Sequence, residues 1–155
     1  MSILTKKSVL VTGGTGSIGT SLVKKAIKDK AKLIRVFSND ENGLYEMESE
    51  YRNNKNIEYV IGDIQNPEIV SEIVKGMDIV FHAAALKHVD RCEFNPLETI
   101  NVNIIGTKNI TKAAKKEKIQ RMIFISTDKA VNPIGVMGAT KLLGEKLVSA
   151  EASEK

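Results

Sequence analysis

Five short runs of β-branched and aliphatic residues recur along this chain of 155 residues, and longer stretches of helical period separate them. That alternation constrains the fold more than any other feature, because it is the pattern of βαβ units joined into a parallel sheet. The runs are SVLVTG (8–13), LIRVFS (33–38), IEYVIG (57–62), DIVFHA (78–83) and RMIFIS (121–126). Each is almost continuously apolar, which predicts strands covered on both faces. Between them SIGTSLVKKAIKD, LYEMESEYRN and PEIVSEIVKG carry apolar residues at helix spacing, with charges on the far side. The segment PLETINVNIIGTKNITKAAKKEK (96–118) predicts one longer helix, with Pro96 in its first turn and Ile100, Ile104 and Ile105 along one face. A last helix from about Val136 holds Leu142, Leu143, Leu147 and Val148. The count is five strands and five helices.

Length and composition narrow the class. The chain suits one domain of ordinary size, 1–155, without repeat, linker or internal boundary. Its 42% hydrophobic and 27% charged residues belong to globular proteins. No apolar run approaches the roughly 20 residues that a membrane helix needs. Met1 runs almost directly into the first strand, so no signal peptide is expected and the predicted location is cytoplasmic. Cys92 is the one cysteine, which excludes an internal disulfide; DRCEFNP offers it no nearby base, so a structural thiol is expected. The net charge of +4 comes from dispersed lysines, clustered once in KAAKKEK (112–118). Without an interleaved aromatic platform that cluster reads as a solvated helix face, and no nucleic-acid partner is expected.

Chemistry-bearing residues collect after the strands. Directly behind the first comes TGGTGSIG (12–19), in which Gly13, Gly16 and Gly19 are spaced G-x-x-G-x-x-G and enclose Thr15, Ser17 and Ile18. In a strand–turn–helix setting these glycines permit the tight turn, the approach of backbone to a pyrophosphate, and close packing of helix on sheet. The expected fold is therefore a Rossmann-type doubly wound parallel sheet, one strand short of its six-stranded form. Ser38 and Asn39, with Asp40 beyond, occupy the tip of the second strand, where the 2′ position of a dinucleotide is read. Ser and Asn tolerate a phosphate there and an inward Asp40 would favour a free hydroxyl, so the residues alone leave NADP and NAD open. Asp63 and Ile64 follow the third strand, where the aspartate accepts from an adenine amino group or caps a turn. Ala83, Ala84 and Ala85 follow the fourth, with side chains small enough for backbone to pass a ribose or nicotinamide. The fifth run ends in Ser126-Thr127-Asp128-Lys129, a hydroxyl, a carboxylate and an amine in succession. Met137 and Lys141 follow, four apart and hence on one helix face.

TGGTGSIG, AALKHVDRCEFNPLE and STDKAVNP resemble the extended short-chain dehydrogenase/reductases, and more narrowly the inverting UDP-N-acetylglucosamine 4,6-dehydratases and their capsular-polysaccharide relatives. The resemblance runs from Val9 to about Val148. It implies internal redox on a UDP-N-acetylhexosamine with bound NADP, NAD being the alternative, and loss of water across C5 and C6. It implies Asp128 as the acid at the departing hydroxyl, Lys129 as the base at C5, Thr127 on the 4-hydroxyl, Lys141 anchoring the cofactor, and Lys87 and His88 facing the substrate. No metal is implied. Met137 stands where short members of the family carry their acid–base tyrosine, and a thioether cannot relay a proton; longer relatives show methionine in the same VMGATK setting. The resemblance also implies a homo-oligomer and a longer protein, with further strands and a lobe that grips the sugar nucleotide, so the chain reads as the cofactor-binding part. A 4-epimerase without water loss, and a non-catalytic dinucleotide-binding module, are the competing readings.

Overall fold

The structure, a computed structural model, describes residues 2–153. Five parallel strands form one sheet: β1 (Ser8–Thr12), β2 (Leu33–Ser38), β3 (Ile57–Ile61), β4 (Ile79–His82) and β5 (Arg121–Phe124), in the spatial order β3-β2-β1-β4-β5. The chain builds outward from β1 through β2 to β3, then returns to the other side of β1 for β4 and β5. That reversal opens a crevice at the carboxyl ends of β1 and β4.

Alternation within β1 divides the core into two layers. Val9 and Val11 pack with Val23 and Ala26 of α1 (Ser17–Lys28) and with Leu44 and Met47 of α2 (Glu41–Glu50). Leu10, pointing to the opposite face, packs with Val70 and Ile73 of α3 (Pro67–Val74) and with Ile110 of α6 (Thr107–Lys116). The central strand β1 is buried throughout, as its apolar run predicts. The outer strands depart from that expectation: β3 exposes Glu58 and Ile61, and β5 exposes Arg121, because each pairs on one side only.

Three helical expectations are revised. Val89–Phe94 forms a short α4, too brief to leave a periodic signal. The α2 helix starts at Glu41, three residues before the first apolar position of its segment, since the Asp40 side chain accepts from Gly43 N and caps it. The long helix predicted over 96–118 is three pieces: α5 (Pro96–Ile100), a π-helical stretch (Asn101–Gly106) and α6. Its wider turn changes the phase of the buried face. Asn103, Gly106, Thr107 and Ile110 face inward, while Ile100 and Ile105 lie exposed. The last helix, α7 (Val136–Ser153), lies against α6.

Candidate functional site

A cavity occupies the crevice at the carboxyl ends of β1 to β4. Gly13, Thr15, Gly16, Ser17, Ile18, Gly19, Ser38, Asn39, Asp63, Ile64, Ala83, Ala84 and Ala85 all line it, so the fold brings together every residue named from the four strand ends. Gly13 has φ +64°, and a Cβ there would stand 2.7–2.9 Å from the backbone of Ala83 and Ala84. A Cβ on Gly19 would collide with the Gly13 carbonyl, so helix and turn touch backbone to backbone. No side chain caps α1 and its first turn carries no acid. The first-turn N–H groups have no intrahelical partners and face this end of the cavity, an arrangement that suits an anion.

The polar side chains around the cavity are largely engaged with one another. Ser38 Oγ shares a hydrogen bond with Thr15 Oγ1 (2.8 Å) and accepts from Asp40 N (3.2 Å). Asp63 accepts from Gln65 N (2.8 Å) and from Gln65 Nε2 (3.2 Å) and so caps the turn after β3 while lining the cavity. Gln65 Nε2 also donates to Glu98 (2.9 Å). Asp40, weighed at the β2 tip, lines it too, and Phe37, Gly62, Leu86, Glu98 and Val102 join beyond the sequence-based set. Lys87, expected to face the substrate, lines this same cavity.

A second cavity lies between α4, the turn after β5 and the start of α7. Asp128, Lys129 and Met137 line it together with Val89, Glu93 and Ile134. Asp128 and Lys129 sit on a single 3₁₀ turn, with Lys129 Nζ 3.8 Å from Asp128 Oδ1 and both side chains exposed. The Thr127 hydroxyl donates to Asp128 Oδ1 (3.0 Å); that bond, and then the Lys129 charge, hold the carboxyl below its ordinary range. Glu93 reaches across to accept from Val136 N (2.6 Å) at the first residue of α7. Neither cavity includes Thr127, His88 or Lys141. His88 is the N-cap residue of α4.

Met137 and Lys141 share the buried face of α7, as their spacing predicts, at 6% and 7% exposure. They diverge there. Met137 meets the second cavity, whereas Lys141 Nζ donates to the Ile125 carbonyl and lies 4.2 Å over the Phe124 ring. Burial lowers its pKa to about 8, with Glu145 opposing. Lys141 is thus held at the carboxyl end of β5.

Sequence reasoning missed a buried polar chain behind both cavities. Thr107 Oγ1 donates to Asn103 O (2.6 Å) and therefore accepts from His82 Nε2 (3.0 Å). The neutral ring then accepts at Nδ1 from Thr12 Oγ1 (2.7 Å), whose oxygen accepts from Ala84 N (3.3 Å). Burial, and then the Lys141 charge, push the His82 pKa down to about 3. Asn103 completes the frame: it accepts from Leu86 N and donates to both Leu86 O and Thr140 Oγ1. The one sequence signal for it was a polar residue inside an apolar helical run.

Sheet order, glycine turn and crevice together define a Rossmann-type α/β protein of the short-chain dehydrogenase/reductase kind. The chain belongs to the polysaccharide biosynthesis protein family, which matches residues 9–155. It is 50% identical over 141 residues to an uncharacterized membrane protein of Methanocaldococcus jannaschii, covering 91% of this chain and 42% of that protein. It is 46% identical over 150 residues to a UDP-glucose 4-epimerase of Rickettsia bellii, covering 94% and 44%. The solved structure of Pen from Bacillus thuringiensis superposes with a TM-score of 0.95 at 41% identity, over 97% of this chain and 47% of that one. A dTDP-glucose 4,6-dehydratase of Streptomyces venezuelae, solved with NAD, shares the fold at 22% identity and TM-score 0.86, over 95% and 52%. The chain thus spans about half the length of the proteins it matches. Among the described residues no helix is long and apolar enough to cross a membrane.

Proposed function

We propose that this chain is the cofactor-binding and catalytic part of a nucleotide-sugar 4,6-dehydratase acting on a UDP-N-acetylhexosamine in glycan biosynthesis. The observation that carries the reading is the pairing of Asp128 with Lys129 on the wall of one cavity, two strand positions along the sheet from a glycine cradle of dinucleotide type. Gly13, Gly16 and the first turn of α1 would hold the pyrophosphate, and Ala83 to Ala85 would leave room for the ribose and nicotinamide. When bound, a nicotinamide dinucleotide supplies reversible acceptance of hydride. The choice between NAD and NADP rests with the β2 end of the cavity.

Without a phenol at Met137, a proton must leave the sugar 4-hydroxyl by another route. Asp128 is ionised, since Thr127 and Lys129 hold its carboxyl low, and it is exposed to an incoming sugar. It takes the 4-hydroxyl proton as C4 is oxidised and returns that proton to the hydroxyl leaving C6. Lys129, beside it, releases its ammonium proton to solvent and then takes the C5 proton, which it later returns to C5. Lys141 adds positive charge beneath the site from the β5 side. A simple 4-epimerase needs neither an acid at C6 nor a base at C5.

The second reading is a UDP-sugar 4-epimerase, favoured by the 46% identity to a protein of that name. Incubating the purified intact protein with UDP-N-acetylglucosamine and weighing the product separates the two. A product lighter by one water supports dehydration. Unchanged mass with an inverted C4 supports the epimerase, and no change in either this sugar nucleotide or UDP-glucose sinks both.

A further inference from the structure

We infer that the β2 end of the first cavity selects NAD and rejects the 2′-phosphate of NADP. The inference rests on the dinucleotide reading of that cavity and deepens it. In a βαβ fold of this kind the 2′ position of the adenosine ribose falls at the tip of β2. Here the tip is Ser38, buried, with its hydroxyl bonded to Thr15 and Asp40 N. Beyond it Asn39 and Asp40 line the cavity.

Asp40 is held in that position. Its Oδ1 accepts from Gly43 N at 3.1 Å, as the N-cap of α2, which pins the carboxylate to the cavity wall. A carboxylate offers about four lone-pair sites and the cap uses one, so acceptors remain for a ribose hydroxyl. A phosphate at the same place brings like charge against Asp40, with the neutral Asn39 amide and no cation to offset it.

The rest of the lining reinforces the sign. It contains three carboxylates, Asp40, Asp63 and Glu98, against one ammonium, Lys87. Lys87 belongs to the loop after β4, and β1 lies between β4 and β2. Two strand spacings, about 10 Å, separate those strand ends. The pyrophosphate has its own compensation in the N-terminus of α1; a third phosphate at β2 has none. The NADP implied by the family resemblance is replaced on this ground, with Asn39 and Asp40 as the specificity-determining pair.

Calorimetric titration of the purified protein, freed of bound nucleotide, with NAD and NADP separately tests this. NAD is expected to bind at least about tenfold more tightly. The variant N39R/D40N, in which asparagine still caps α2, is expected to gain about tenfold for NADP. A thermal melt matching wild type shows that the variant is folded; if it is not, the single variant Asn39→Arg carries the same expectation. Equal or tighter binding of NADP by the wild-type protein overturns the selectivity while leaving the dinucleotide site intact. Binding of neither nucleotide overturns the dinucleotide reading, and the selectivity falls with it.

Discussion

The two cavities lie at the same edge of the sheet but are made of different material. The first is walled by backbone: Gly13 against Ala83 and Ala84, Gly19 against the Gly13 carbonyl, and the start of α1. Its polar side chains are fixed to one another, Thr15 to Ser38, Asp40 to Gly43 N, Asp63 to Gln65. The second is walled by side chains of α4, α7 and the turn after β5, and two of its three charged residues, Asp128 and Lys129, stand exposed with few tethers. The contrast separates two tasks. Holding a long ligand by shape and dipoles favours positions set by strand register, whereas moving protons requires titratable groups within reach of the substrate.

The largest effect comes from breaking the backbone wall. Gly13→Ala places a Cβ against Ala83 and Ala84 at a positive φ, so both the turn and the neighbouring loop must shift. A loss of about 2–4 kcal/mol is expected in urea denaturation, with NAD binding abolished in calorimetry. Wild-type affinity in this variant would show that the first cavity rearranges freely, and the contrast with the second would disappear.

What was legible in the sequence follows the same division. Strand ends followed by small residues are local signals, and all thirteen residues drawn from them meet at one cavity. Glu98 and Val102 reach that cavity from α5 and the π-helical stretch, through a change of helical phase that no apolar period announces. Glu93 meets Val136 across 43 positions of sequence, and the His82 chain joins β1, β4 and α6, so neither could be read from spacing. Lys141 and Met137 share a helix face as predicted, yet their side chains serve different neighbours. Periodicity gives the face and packing decides the partner.

A smaller effect tests the wall that stands behind both cavities. His82 has its pKa lowered from 6.5 to about 3, so the folded state binds fewer protons than the unfolded state between those values. Its contribution is fully present above 6.5 and is lost as pH falls toward 3. Between about pH 7.5 and 5.5 the loss should be about 1.4 kcal/mol, read from urea midpoints. Asp29 and Asp128, both held below the ordinary 3.8, titrate outside this window. His82→Asn should remove this part of the pH dependence, and an unchanged slope in that variant would mean that His82 is not its source.

The smallest effect should be confined to the second cavity. The α7 helix follows Gly135 and carries no acid in its first turn, so the Glu93 carboxylate supplies the charge that its N-terminus favours. Removing it in Glu93→Ala should cost about 1 kcal/mol, or about 3 °C in the melting midpoint, and speed amide exchange at Val136. Glu93→Gln keeps an acceptor and should recover most of the loss. NAD affinity should stay at the wild-type value in both variants, because Glu93 lines only the second cavity and the glycine cradle owes nothing to α7. Should NAD binding weaken in step with Val136 exchange, the two cavities would be joined through α7, with the bond from Thr140 to Asn103 and on to Leu86 as the physical connection.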